Sequence, residues 1–64
     1  MVVKVGNKIR AFRIEAGMTQ EKLAKKLSKK QSYIGQLERD YRAITLNTLD
    51  RVAKALNKNM KDFL

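Results

Sequence analysis

The stretch Thr19-Gln20-Glu21-Lys22-Leu23-Ala24-Lys25-Lys26-Leu27-Ser28-Lys29-Lys30-Gln31-Ser32-Tyr33-Ile34-Gly35-Gln36-Leu37-Glu38-Arg39 decides the reading of this 64-residue chain. Thr19 suits an N-cap, because its hydroxyl can accept from a free backbone N–H, and Glu21 lies in the first turn, where the helix dipole favours an acid. A helix from about Gln20 to Leu27 follows, with Leu23, Ala24 and Leu27 as its buried face. It is roughly two turns long, so packing and not propensity must hold it. A break at Ser28 to Lys30 leads to another helix from about Gln31 to Arg39. Ile34, Leu37 and Glu38 share one side of it. Gln31, Ser32, Gly35, Gln36 and Arg39 share the other, which is polar without being dominated by charge.

Working outward, Val5, Ile9, Phe12 and Ala16 recur at spacings of four, three and four, the stripe of an amphipathic helix, and Gly17 stands where a left-handed residue would stop it. Downstream, Asp40 to Ile44 reads as a loop. Thr45 can cap a further helix whose apolar stripe is Leu46, Leu49, Val52, Ala53 and Leu56, and Asn57 can end it because asparagine tolerates the left-handed conformation. Asn59 then caps a last short turn, Met60 to Leu64. The expectation is an all-α fold of five helices and no strand. With 44% hydrophobic residues, no proline, no linker and no internal repeat, residues 1–64 read as a single domain.

Composition excludes several classes of function. A domain this small hides only about 60% of the surface of its unfolded chain, so a large enclosed substrate pocket and an elaborate enzyme are not expected. Without cysteine or histidine, the chain lacks thiolate zinc ligands, a thiol nucleophile, a disulfide framework and the usual general base, and no metal or cofactor is expected. No apolar run approaches the roughly 20 residues that span a bilayer, and Met1 to Val5 is too short for a signal peptide, which points to a soluble, cytoplasmic protein. Fifteen Lys or Arg against six Asp or Glu leave a net charge of +9, which favours a polyanionic partner. Residues 1–32 carry nine basic and two acidic side chains, and Lys22, Lys25, Lys26, Lys29 and Lys30 are the densest group. Taken alone, such a group is equally a solvated helix face.

Two short helices joined by a three-residue break, the first basic and the second with an amide-rich outer face, have the layout of a DNA-binding helix-turn-helix at about residues 20–39. The Thr19 to Ala24 and Gln31 to Arg39 segments resemble the Cro and lambda-repressor type family of small regulators. Ile9-Arg10 with Arg13 resembles the first helix of that family, and Ile44-Thr45-Leu46 with Thr48-Leu49 and Val52 to Leu56 resembles its fourth. The resemblance covers about residues 6–64. It implies a lambda-repressor-like fold, a double-stranded DNA partner, and an ion pair between Arg13 and Glu38 that specifies geometry more than it adds stability. The alternative for these two is a pair of unrelated surface charges. Two departures stand out. Ser28 occupies a turn position where glycine is usual, and Lys30 replaces the Ser or Thr cap that normally opens the second helix of the motif.

If that helix enters the major groove, Gln31, Ser32 and Gln36 are the expected base contacts, since a glutamine amide matches the N6 and N7 edge of adenine and a hydroxyl suits several bases. Phosphate contacts are expected from Gln20, Lys30, Tyr33, Arg39, Arg42 and Asn47 around the rim. Tyr33 could instead pack its ring on the preceding helix, and Arg42 could touch a base. Lys58 and Lys61 are expected to face water. A single motif reads only a few base pairs, so a homodimer on a two-fold site is expected, with Met60, Phe63 and Leu64 as its interface. The alternative is that this last turn merely closes the core of one chain. Ile14 lies off the main stripe and has no assigned role.

The sequence therefore points to a dimeric, sequence-specific transcriptional regulator on a palindromic operator, with no small-molecule ligand and no membrane partner. The stretch from Glu38 to Leu46 looks more like the controller proteins of restriction-modification systems than like phage repressors. Two other classes stay open: an antitoxin or interaction module with secondary DNA binding, and a nonspecific basic nucleic-acid binder.

Overall fold

The computed structural model describes residues 2, 3 and 5–64, with side chains from Val5 onward. In chain order the elements are β1 (Val2–Val3), α1 (Gly6–Glu15), α2 (Gln20–Lys26), α3 (Gln31–Glu38), β2 (Ile44–Thr45), α4 (Leu46–Ala55) and a 3₁₀ turn (Met60–Asp62). Four α-helices are present, not five. The last segment closes through bonds of the i to i+3 type, Asp62 N–H to Asn59 at 2.9 Å and Phe63 N–H to Met60 at 3.0 Å. A three-residue segment closed by bonds of this type is a 3₁₀ turn, the usual form of so short a piece.

The expectation of no strand is also corrected. Val2 pairs with Thr45 and Val3 with Ile44 in an antiparallel ladder. Strands of two residues carry no periodicity, and their pairing comes from the fold that brings the first residues beside the α4 entrance.

Each α-helix stops the same way. Gly17, Ser28, Asp40 and Asn57 have φ of 72°, 57°, 58° and 58°. The next residue in each case, Met18, Lys29, Tyr41 or Lys58, returns its N–H to the carbonyl of Arg13, Ala24, Gln36 or Ala53 at 2.8–3.0 Å. This is the Schellman closure, and only one of its four left-handed positions is a glycine. Starts are less uniform. Thr19 accepts from Lys22 N–H at 3.1 Å and Thr45 from Thr48 N–H at 3.3 Å, whereas Val5 and Lys30 offer no side-chain cap.

The core gathers Ile9, Leu23, Ala24, Leu27, Ile34, Leu37, Ile44, Leu49, Val52, Ala53, Leu56 and Phe63, each at most 5% exposed, with Val5 at its edge. Most of these are the stripes read from the sequence, but Ala16, read into the first stripe, is exposed, Ile44, read as loop, is buried, and one expectation is reversed. Phe63, expected at a dimer interface, lies 2% exposed inside its own chain, its ring edge-on to Phe12 at 5.1 Å. Burying the ring removes more apolar area from water than any small side chain in the last turn could, so the last turn folds inward around it. Lys58 is also corrected. It is partly buried, with its ammonium 4.7 Å from the Phe12 ring centroid and 3.3 Å from Glu15 Oε1.

Candidate nucleic-acid interface

α2 and α3 meet through Leu23, Ala24, Ile34 and Leu37, all buried. Packing these four inward turns the polar side of α3 out. Gln31, Ser32, Gly35, Gln36 and Arg39 line one open concavity with Gln20 from α2 and Tyr41 from the loop after α3. The three expected base readers are thus brought onto a single exposed surface.

A hydrogen-bonded chain runs from the interior to that surface. Arg13 Nε donates to Glu38 Oε2 at 2.6 Å and Nη2 to Glu38 Oε1 at 3.2 Å, a two-pronged pair in which both residues are buried. The third arm of the guanidinium, Nη1, donates to the Met18 carbonyl at 2.7 Å. Every buried polar side-chain atom among the described residues has a partner, which is the condition for an interior ion pair to be tolerable. Glu38 Oε1 also accepts from Gln20 Nε2 at 3.0 Å, and Gln20 Oε1 accepts from Gln31 Nε2 at 3.3 Å. Because the carboxylate can only accept, it dictates which end of the Gln20 amide faces it, and Gln20 in turn orients Gln31. Arg13 and Glu38 are therefore linked through Gln20 to the first residue of α3. Sequence reasoning missed this role for Gln20, because nothing at positions 20 and 38 announces that they touch.

The far end of α3 is ordered differently. Gln36 Oε1 accepts from Arg42 Nε at 3.0 Å. The Arg42 guanidinium lies 5.0 Å from the Tyr33 ring centroid, and Lys29 Nζ lies 5.1 Å from the same centroid. Tyr33 is half-buried and packs on the core, so its ring serves as a platform for two cations, each contact worth about 0.5–1 kcal/mol at such a site. Lys30, Arg39 and Asn47 are exposed, at the cap of α3, at its end and in the first turn of α4. Asp40 and Tyr41 were read only as loop. Asp40 accepts from Gly6 N–H at 3.1 Å and so supplies the cap that Val5 cannot, while Tyr41, 78% exposed, forms part of the concavity wall. An aspartate directly after a predicted helix was the available signal, since its side chain caps and its backbone tolerates the left-handed region.

Of the expected interface residues in the last turn, Leu64 is 66% exposed, Met60 is half-buried, and Phe63 is in the core. Among the described residues no cluster of acids could hold a metal ion and no helix is long and apolar enough to cross a membrane.

These features agree with the comparisons. The helix-turn-helix family profile matches residues 9–63. Control protein C.BamHI of Bacillus amyloliquefaciens is 37% identical over 60 residues, which cover 92% of this chain and 74% of that protein. The crystal structure of the restriction-modification controller protein C.AhdI from Aeromonas hydrophila superposes with a TM-score of 0.88 at 32% identity, covering 97% of this chain and 94% of that one. The biofilm master regulator SinR, solved in complex with DNA, superposes with a TM-score of 0.83 at 25% identity over 92% of this chain and 95% of that one. With the family matched over most of its length and its two-helix motif carrying a polar outer face, this chain belongs to the helix-turn-helix family of Cro and lambda-repressor type.

Proposed function

We propose that this protein is a sequence-specific double-stranded DNA-binding transcriptional regulator, acting as a homodimer on a palindromic operator in the cytoplasm. The observation that carries the proposal is the exposed row of Gln31, Ser32 and Gln36 on α3, whose two amides are already held by Gln20 and Arg42. A side chain oriented before binding loses less rotamer freedom on reaching a base edge, so its hydrogen bonds convert more fully into discrimination. Net charge of +9 supplies the sequence-independent attraction. Lys30, Arg39, Arg42, Asn47 and the free amide hydrogen of Gln20 are assigned to phosphates. Tyr33 is assigned there through the cations that it carries as much as through its own hydroxyl.

Residues 1–64 form one regulatory domain without catalytic or effector function on this reading. Leu64, with Met60 beside it, is the proposed contact between copies, and Phe63 supports it from beneath. Likeness to C.BamHI and C.AhdI favours a controller of a restriction-modification system over a phage repressor.

Selection of bound sequences from random duplexes tests the proposal. A two-fold symmetric site with half-sites about one helical turn apart is the expected result. Equal affinity for selected and scrambled duplexes at physiological salt would overturn it in favour of nonspecific binding.

A further inference from the structure

On the reading that α3 enters the major groove, we propose that Arg42 is a positioning residue: it sets the hydrogen-bonding polarity of Gln36 and thereby makes that glutamine select adenine. The contact is a single hydrogen bond, Arg42 Nε to Gln36 Oε1 at 3.0 Å, reaching back from the loop onto the helix.

A primary amide has two ends of nearly equal shape, one accepting and one donating. Unrestrained, it can turn either end to a base. A guanidinium only donates, so a glutamine in contact with it must present oxygen. Gln36 is thereby left with both Nε2 hydrogens free and one remaining lone pair on Oε1. Adenine and guanine both offer N7 as an acceptor in the major groove, and adenine adds an N6 donor for that lone pair. Guanine and thymine offer this amide only acceptors, N7 with O6 and O4 respectively, and cytosine only its N4 donor, so each satisfies one side of the oriented amide and adenine alone satisfies both.

Arg42 can impose this polarity because it is itself held. Its guanidinium rests against the Tyr33 ring, and that ring is fixed by its packing on the core. With Nε directed at Gln36, the two Nη groups remain for a phosphate, so one residue couples backbone contact to base choice. A lysine ammonium would keep the charge and also only donate, but it lacks the planar fork that holds one N–H on Gln36 while the group rests against the Tyr33 ring.

The test compares wild type, Arg42→Lys, Gln36→Ala and the double variant, each as the full chain, by competition titration on the selected duplex and on the three duplexes that change the base pair read by Gln36. Wild type should prefer adenine there about tenfold or more. Arg42→Lys should lose most of that preference, read as the ratio of affinities between the four duplexes, while its thermal midpoint stays unchanged, and in the Gln36→Ala background it should not change that ratio further. Full preference in Arg42→Lys, or an equal loss with Gln36 already absent, would overturn the proposal. Failure of the underlying DNA-binding reading is distinguishable, because wild type would then not tell selected from scrambled duplexes. In that event the base-selection claim falls with it. The orienting contact is read separately in the free protein. Arg42→Lys should move and average the Gln36 side-chain amide resonances, and unmoved resonances would overturn it.

Discussion

Gly6 and Asp40 join the start of α1 to the end of α3: the backbone N–H of Gly6 donates to Asp40 Oδ1 at 3.1 Å across 34 positions of chain. Approach at this joint is very close. A Cβ on Gly6 would lie 2.5 Å from the carbonyl oxygens of both Leu37 and Glu38, nearer than a carbon can sit to backbone. Glycine is needed here for space, not for an unusual φ. The joint fixes the last turn of α3 against α1, the helix that supplies Arg13.

Gly6→Ala should therefore force the two helices apart and cost about 2–3 kcal/mol by urea unfolding. Asp40→Asn keeps both an accepting oxygen and tolerance of positive φ, so it should fall within about 0.5 kcal/mol of wild type, whereas Asp40→Ala should lose about 2 kcal/mol. Equal stability of the Asn and Ala variants would exclude the cap.

Ser28 holds φ at 57° with nothing in its favour but the closure it makes. Ser28→Gly should remove that strain and raise stability by about 0.5–1 kcal/mol, a gain of about 2–8 °C in Tm for a domain of this size. A lower Tm would show that the serine side chain contributes something beyond occupying the turn.

Arg13→Ala leaves Glu38 buried and uncompensated, and should cost about 3–5 kcal/mol. Arg13→Met with Glu38→Leu replaces the pair by apolar volume and should recover most of that loss. Recovery of stability should not restore DNA discrimination, because Gln20 no longer has an acceptor to orient it and Gln31 loses its support. Full discrimination by the stable double variant would sever the link between the ion pair and the reading face.

Lys30→Ser restores a capping hydroxyl at the start of α3 and should add about 1 kcal/mol of stability. The same change removes a charge from the proposed phosphate rim. Affinity for cognate and random DNA should fall together, and the salt slope should become shallower by about one contact. Loss confined to the cognate site would reassign Lys30 to a base.

Phe63 and Leu64 are adjacent but should behave differently. Phe63→Ala empties part of the core and should cost about 3–5 kcal/mol. Leu64→Asp should keep helical content by circular dichroism while sedimentation shows a monomer. A dimer that survives Leu64→Asp would move the contact to another surface, with the 54% exposed Ile14 as the next apolar group to test.

The helices, their stops and the polar face of α3 were legible in the sequence because each rests on neighbours in the chain. Thr19 and Thr45 cap residues three positions on, Gly17, Ser28 and Asn57 need only a local left-handed turn, and Ile34 and Leu37 separate from Gln31 and Gln36 by helical period alone. Arg13 and Glu38 could be paired in advance only through the family resemblance, since 25 positions separate them.

What the tertiary structure decided is where distant residues meet. The two-residue strands, the Gly6 contact, the Asp40 cap, the inward turn of Phe63, and the hold of Gln20 on Gln31 and of Arg42 on Gln36 all depend on packing that brings separated segments within bonding distance. Chemical type at a position determines what a side chain can accept or donate. Only the packed chain determines which partner is close enough to use it.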